Sequence, residues 1–492
     1  MTRQHDNSPP RSLNRHRNLA SSDDQGLPPE IWAHIADYLQ NDSASLSRHT
    51  RVCRQWQAIF ERQLYRKVHV RSFCFKAEKG ILSEQRFRWL TSGTNSRRRD
   101  YVRHVDYTII LPYWLRDYYS TKLVGYSEQN SVRLANNEAF KDAVWAIMDT
   151  LSEWGDDRRV TLRLHISWHD KGQEPQTEET STYQWWKATL DGESVVRPYR
   201  VQFPDDGTLR LPEVSCVDQL ISSAKIWPGA VLQCAQRCVA LRELHLHLHE
   251  RIRPDHTDFI FGHRHAIACG LTKLPPSIRV FQLGSLSNNS WSNVIPALNV
   301  LSKDGQDIFA VNLRNLSQNL RELELKETVI DWDFLFPLDD RDKPTALTLS
   351  LYWPYLEILK LECVPQSLPS GEWTCDFEPS AWVEEKVPDP MTAGMGIFLT
   401  EFMERGDSIS RNIIHADKFH RLFISLGYAA RRMPLLKFMK FSLELGDLVE
   451  FEFNSRDSPV IPYLISNGPS ANFTMVWASY LGYRPDARVA RA

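Results

Sequence analysis

An apolar residue, two spacers and then alternating apolar residues recur along the middle of this chain. The phrase reads Leu241-Arg-Glu-Leu244-His-Leu246-His-Leu248, Ile278-Arg-Val-Phe281-Gln-Leu283 and Leu320-Arg-Glu-Leu323-Glu-Leu325. It returns as Tyr355-Leu356-Glu-Ile-Leu359-Lys-Leu361 and Leu435-Leu436-Lys-Phe-Met439-Lys-Phe441. Alternation with period two over a few residues marks a short strand with one buried face. Fainter copies precede these at Val102-Arg-His-Val105-Asp-Tyr107 and Val160-Thr-Leu162-Arg-Leu164-His-Ile166. Aligning Leu244, Phe281, Leu323, Leu359 and Met439 gives steps of 37, 42, 36 and 80 residues. The last step is about two repeat lengths, so one repeat is hidden or replaced by an insertion. Helical spacing precedes two strands, in Phe140, Val144, Ile147, Met148, Leu151 and in Phe419, Leu422, Phe423, Leu426, Met433. Helix then strand, repeated, predicts a solenoid with parallel strands on one side and helices on the other. The alternative is a mixed α/β domain without true repeats, because the steps are loose for a solenoid.

The pattern near the N-terminus is different. Ile31, Ile35 and Leu39 recur at i, i+4 and i+8 behind Pro28-Pro29, which suit a first helical turn. Asn41-Asp42-Ser43 breaks the stripe, and Asp42 or Ser43 can cap a second helix. Val52, Cys53, Trp56, Ile59 and Phe60 then share one helical side. Two or three short helices bury too little surface to be stable alone, which points to a partner.

The order Leu27-Pro28, Glu30-Ile31, Ile35, Leu39 and Val52-Cys53-Arg54-Gln55-Trp56 resembles an F-box. That module docks a protein onto the Skp-type adaptor of a cullin-RING ubiquitin ligase. The resemblance implies adaptor-binding residues at Leu27, Pro28, Glu30, Ile31, Ile35, Leu39, Val52, Cys53 and Trp56. His49, Thr50 and Arg51 depart from it, standing where the family more often carries apolar or small residues. The repeated phrase resembles a leucine-rich repeat, with longer units and without most of the usual terminal asparagines. Together the two resemble F-box proteins of fungal type.

The expected fold class is α/β: a three-helix F-box, then an irregular leucine-rich-repeat-like solenoid. The expected organisation is a disordered tail at 1–26, an F-box at 27–70, a repeat region with loop insertions at 71–455 and an extension at 456–492. The resemblance implies the substrate-recognition subunit of an SCF-type ligase, with Skp-type adaptor, cullin scaffold and a target protein as partners. An F-box scaffold without a ligase role, and a ligand- or metal-binding solenoid, are the alternatives.

Composition narrows the field. Net charge is −2 over 492 residues, so nothing global points to nucleic acid or an anionic membrane. Eight cysteines without a CxxC pair argue against a disulfide scaffold. No run approaches the ~18 apolar residues of a membrane span, and the expected location is cytoplasmic, nuclear or both.

Candidate chemistry is sparse. His245, His247 and His249 alternate with leucines and share one strand face, with His263 and His265 nearby in sequence. Two histidines at i and i+2 can chelate zinc, but no Cys or Asp completes a ligand set, so solvent-facing imidazoles are expected. Cys234 and Cys238, four apart, read as core thiols. Arg97-Arg98-Arg99 reads as an exposed loop able to meet phosphate or simply solvent. Long segments carrying Trp185-Trp186, Trp373 and Trp382 are candidate binding loops whose tryptophans can equally cover the core. No phosphate loop, dinucleotide fingerprint, nucleophile elbow or kinase motif occurs, so no catalytic residue, cofactor or metal is expected.

Overall fold

The computed structural model describes residues 28–38, 43–73, 80–113, 131–168, 199–204, 209–223, 225–248, 257–285, 297–377, 411–443, 450–455, 473–478 and 487–491. The chain forms two compact units, residues 1–64 and 65–492.

The first unit contains three helices: α1 (Pro29–Tyr38), α2 (Ser43–His49) and α3 (Arg54–Leu64). Pro29 occupies the first position of α1, where its missing N–H costs nothing. The Pro28 carbonyl accepts from the Ile31 and Trp32 amides at 3.0 and 3.3 Å, closing the first turn. Helix α3 packs on both others. Leu46 and Phe60 form its small buried centre, edged by Trp32, Trp56, Ile59 and Leu64.

The second unit is built on one twelve-stranded sheet. It begins with β1 (Lys67–Arg71), β2 (Ile81–Ser83), β3 (His104–Leu111), β4 (Val160–Trp168) and β5 (Val217–Ser222). It continues with β6 (Glu243–Leu248), β7 (Val280–Ser285), β8 (Glu322–Lys326) and β9 (Ile358–Val364). A separate antiparallel pair, β10 (Cys375–Phe377) and β11 (Arg411–Ile414), comes next in the chain. The sheet closes with β12 (Phe438–Leu443), β13 (Glu450–Ser455) and β14 (Phe473–Ala478). From β2 through β1, β3 to β9 and on to β12 every pairing is parallel. Strands β13 and β14 are added antiparallel.

The register shows why the phrase repeats. Val68, Val105, Leu162, Leu220, Leu244, Phe281, Leu323, Leu359 and Met439 are successive partners across nine strands. All nine are buried, so one apolar row runs through the core. The five strands read from the phrase therefore stand side by side, parallel and in the expected order. The long final step is an insertion: β9 pairs directly with β12, and the hairpin β10–β11 lies in the sequence between them.

Helices supply the second layer. They are α4 (Glu84–Thr91), α5 (Ser131–Ser152), α6 (Pro228–Arg237), α7 (Thr257–Leu271), α8 (Ile308–Ser317), α9 (Ala416–Ala430) and the short α10 (Ala487–Arg491). Phe140, Val144, Ile147, Met148 and Leu151 of α5 are buried in the same core as the strand leucines. So are Leu422 and Leu426 of α9, with Met433 just beyond its end. Between β8 and β9 no α-helix forms. Trp332, Phe334, Leu335, Phe336 and Leu338 fill that space from an irregular segment instead. Arg421 of α9 pins it, donating to Asp333 Oδ2 and the Leu338 carbonyl at 2.7 Å and to the Asp339 carbonyl at 2.9 Å.

Two features were not legible as strands. Residues 67–70, read as the end of the F-box, form β1 and belong to the second unit. Residues 473–478, read as extension, form β14. The tail 1–26 lies outside the described residues.

Candidate adaptor-binding surface

The F-box-like segment sorts its side chains into an inner and an outer set. Inside, four aromatic rings meet: Trp32 and Trp56 at 4.6 Å, Trp56 and Phe60 at 5.5 Å, and His49 against Trp56 and Phe60 at 5.6 and 5.1 Å. Tilted contacts of this kind add stability beyond area burial. They explain the departure at residue 49, where an imidazole does the work of an apolar side chain by lying on two rings. Trp56, expected at the adaptor surface, is half-buried in this cluster and supports the unit from within.

Outside, Pro28, Glu30 and Ile31 are exposed at the start of α1, and Arg51, Val52, Cys53 and Arg54 at the α2–α3 turn. Ile31 keeps 43% and Val52 60% of its surface in solvent. Ile35 is half-buried. Tyr38, further along α1, is 88% exposed and was not singled out by sequence. Leu27 and Leu39 lie outside the described residues. Cys53 has a structural duty as well: its Sγ accepts from the Trp56 amide at 3.5 Å and its carbonyl from the Gln57 amide at 2.8 Å, capping α3.

Residues 25–71 match the family description of an F-box-like domain. The chain carries an F-box-like domain. That domain implies binding to a Skp-type adaptor, and F-box proteins are typically non-catalytic. No curated protein matches the chain.

The remaining candidates resolve individually. Leu244, Leu246 and Leu248 are buried, while His245 is half-buried and His247 exposed on the opposite sheet face. His263 sits elsewhere, buried on α7 against Trp227 and Phe259. His265 Nε2 lies 3.3 Å from Cys269 Sγ on the same helix. The imidazoles are thus split between the strand face and the helical layer, and no group of three His, Cys, Asp or Glu among the described residues could hold a metal ion. His249 lies outside those residues.

Cys234 and Cys238 are buried, and burial pushes the Cys234 thiol up to about 12. The arginine run is not the open loop expected. It forms a 3₁₀ turn (Gly93–Asp100) in which Arg99 donates to the Glu153 carbonyl at 2.7 Å, to the Glu153 carboxylate at 3.0 Å and to the Thr91 carbonyl. Arg98 lies over the Tyr65 ring. Anchored to protein oxygens, Arg99 is committed to holding α4 and α5 together. Trp373 is half-buried under the Arg411 guanidinium at 3.9 Å, whereas Trp185, Trp186 and Trp382 lie outside the described residues.

A cavity of about 630 Å³ lies beside the C-terminal end of β3, lined by Phe73, Glu84, Tyr107, Leu111, Tyr113 and Asp142 among others. Burial raises the Glu84 carboxyl above its usual range. The Tyr107 hydroxyl donates to the Ala143 carbonyl at 3.0 Å and is already spoken for. Ser72 also lines the cavity, its Oγ accepting from the Ile110 amide at 2.9 Å. No helix among the described residues is long and apolar enough to cross a membrane.

Proposed function

We propose that this protein is the substrate-recognition subunit of an SCF-type cullin-RING ubiquitin ligase. The observation that carries this reading is the F-box-like domain at residues 25–71, whose exposed Pro28, Ile31 and Val52 are available to an adaptor groove. Leu27, Pro28, Glu30, Ile31, Ile35, Leu39, Val52 and Cys53 form the docking set, with Trp56 holding their helices in place. The large unit, leucine-rich-repeat-like in its phrase, is the part free to bind a target protein. Its contribution to rate is proximity: a target lysine is held near the charged ubiquitin-carrying enzyme at high effective concentration. No catalytic side chain is required of this chain.

The test compares proteins captured by the full chain with those captured by a chain lacking residues 27–70. A receptor brings down adaptor and cullin only when the segment is present, and its target in both cases. The target then accumulates in cells carrying the shortened chain. Capture of the adaptor without cullin, or an unchanged target level, would make the protein a scaffold instead.

A further inference from the structure

The C-terminal ends of β1 and β3 lie side by side, and the chain just beyond each is held in place. The Ser72 amide donates to the Thr108 carbonyl at 3.1 Å, and Ser72 Oγ accepts from the Ile110 amide. Beyond β3 the fully buried Asn136 side chain brackets Tyr113. Its Oδ1 accepts from the Tyr113 amide and its Nδ2 donates to the Tyr113 carbonyl, both at 3.0 Å. Residues of α4 and α5 complete the walls of the cavity of about 630 Å³. It lies outside the carboxyl ends of parallel strands, where open α/β sheets commonly bind ligands. Small-molecule sites span roughly 300–1,000 Å³, and this cavity falls within that range.

The lining combines apolar walls with two carboxylates. Phe73, Leu111, Pro112, Tyr113, Ala139 and Ala146 supply aromatic and aliphatic surface. Glu84 and Asp142 also line the cavity, and no lysine, arginine or histidine does. Glu84 is half-buried and Asp142 exposed, so the two carboxylates stand at different depths. Neither side chain forms an ion pair or hydrogen bond among the described residues. The cation that acts on Glu84 is Arg88, and its guanidinium is held by Asp149 at 2.9 Å and Glu153 at 3.3 Å. The Tyr107 hydroxyl is turned to the Ala143 carbonyl. Burial raises the Glu84 carboxyl, so the protein around it stabilises its charge less well than water does. A cation entering between these walls offsets that loss.

We propose that this cavity binds an organic cation: an ammonium or guanidinium group carried on an apolar body. The cationic group pairs with Glu84 and Asp142, and the body lies against Phe73, Leu111 and Tyr113. An anion would meet two carboxylates and no compensating cation in the lining. A neutral apolar ligand would leave Glu84 desolvated and unpaired. A free amine and a lysine or arginine side chain of a partner polypeptide share the required chemistry. The inference goes beyond the receptor reading and does not depend on it.

The test is isothermal titration calorimetry of the full chain with three probes of similar shape: phenylbutylamine, phenylbutanol and phenylbutyrate. The amine should bind about tenfold or more tightly than the alcohol, and the carboxylate least of the three. Glu84→Gln and Asp142→Asn should each weaken the amine by about tenfold while leaving the alcohol within about twofold. Ala139→Trp, filling the cavity from α5, should remove binding of both. Glu213→Gln, exposed and outside the lining, should bind as the parent does. Thermal unfolding of each variant shows that it is folded, and the exposed position of Asp142 keeps Asp142→Asn decisive if Glu84→Gln does not fold. A short capped lysine peptide identifies the source of the cation. Tighter binding than the amine assigns it to a partner's side chain, and weaker binding to a free amine. No binding of either cation by the parent chain, equal affinity for amine, alcohol and carboxylate, or amine binding unchanged by both substitutions overturns the proposal.

Discussion

Replacing Leu246 by Asp puts the face assignment to its hardest test. Leu246 has no exposed surface, sits at the middle of β6 and pairs with Ser222 and Leu283 on the adjoining strands. Removing its side chain alone forfeits roughly 3–5 kcal/mol, the usual cost of a buried leucine lost to a cavity. The new carboxylate would have no partner there, and an unpaired buried charge costs several kcal/mol more or forces the strand to open. The sum, of order 5 kcal/mol or above, is comparable to the whole stability of many domains. His247→Asp, one residue along and on the exposed face, should change stability by less than about 0.5 kcal/mol. Urea unfolding followed by circular dichroism compares the pair. A Leu246→Asp chain with an unchanged midpoint, above all beside a destabilised His247→Asp, would mean the histidines face the core and the sheet is inverted.

Arg421→Met should lower the urea midpoint by the equivalent of about 1–3 kcal/mol, because the Leu338 and Asp339 carbonyls and the Asp333 carboxylate lose their donor; an unchanged midpoint would show the irregular segment holds itself. At pH 8 a thiol reagent should modify exposed Cys53 and Cys269 in the native protein and reach Cys216 and Cys234, both pushed up to about 12, only after denaturant is added. Burial holds His104, His165 and His247 below the ordinary imidazole pKa. The unfolded chain therefore takes up more protons than the folded one below pH ~6.5, and stability falls as pH drops from 7 to 5. Replacing all three by Gln should flatten that slope, and an unchanged slope would refute their part in it.

Much of this architecture could be read from residues that must alternate. Leu244, Phe281, Leu323, Leu359 and Met439 announced their strands because each is buried and is followed by a polar residue and then a second buried one, the alternation of a half-covered sheet. Strand β5 escaped notice because Leu220, Ile221 and Ser222 are buried in succession beside a register shift at Val160–Thr161, which removes the alternation. Strand β1 alternates well at Lys67-Val-His-Val-Arg but follows the last helix of the F-box without a break in composition. The segment that replaces a helix before β9 has no periodicity at all: its aromatic residues are placed by shape and by Arg421, a contact made across almost ninety residues. In the F-box-like segment, Pro28, Ile31 and Val52 were singled out from the sequence and are exposed in the structure. The inward turn of Trp56 and the capping duty of Cys53 were not legible there, because both depend on how α3 packs rather than on its own sequence.

The central claim is that residues 28–64 dock onto a Skp-type adaptor, and a binding isotherm between the full chain and the purified adaptor tests it most directly. The parent chain should bind, and Pro28→Ala with Ile31→Ala should abolish or severely weaken binding, since a few apolar anchors carry most of the energy of a small interface. Far-ultraviolet circular dichroism of the variant should match the parent, showing that the large unit is untouched. Full-strength adaptor binding by the doubly substituted chain, or none by the parent, would contradict the account.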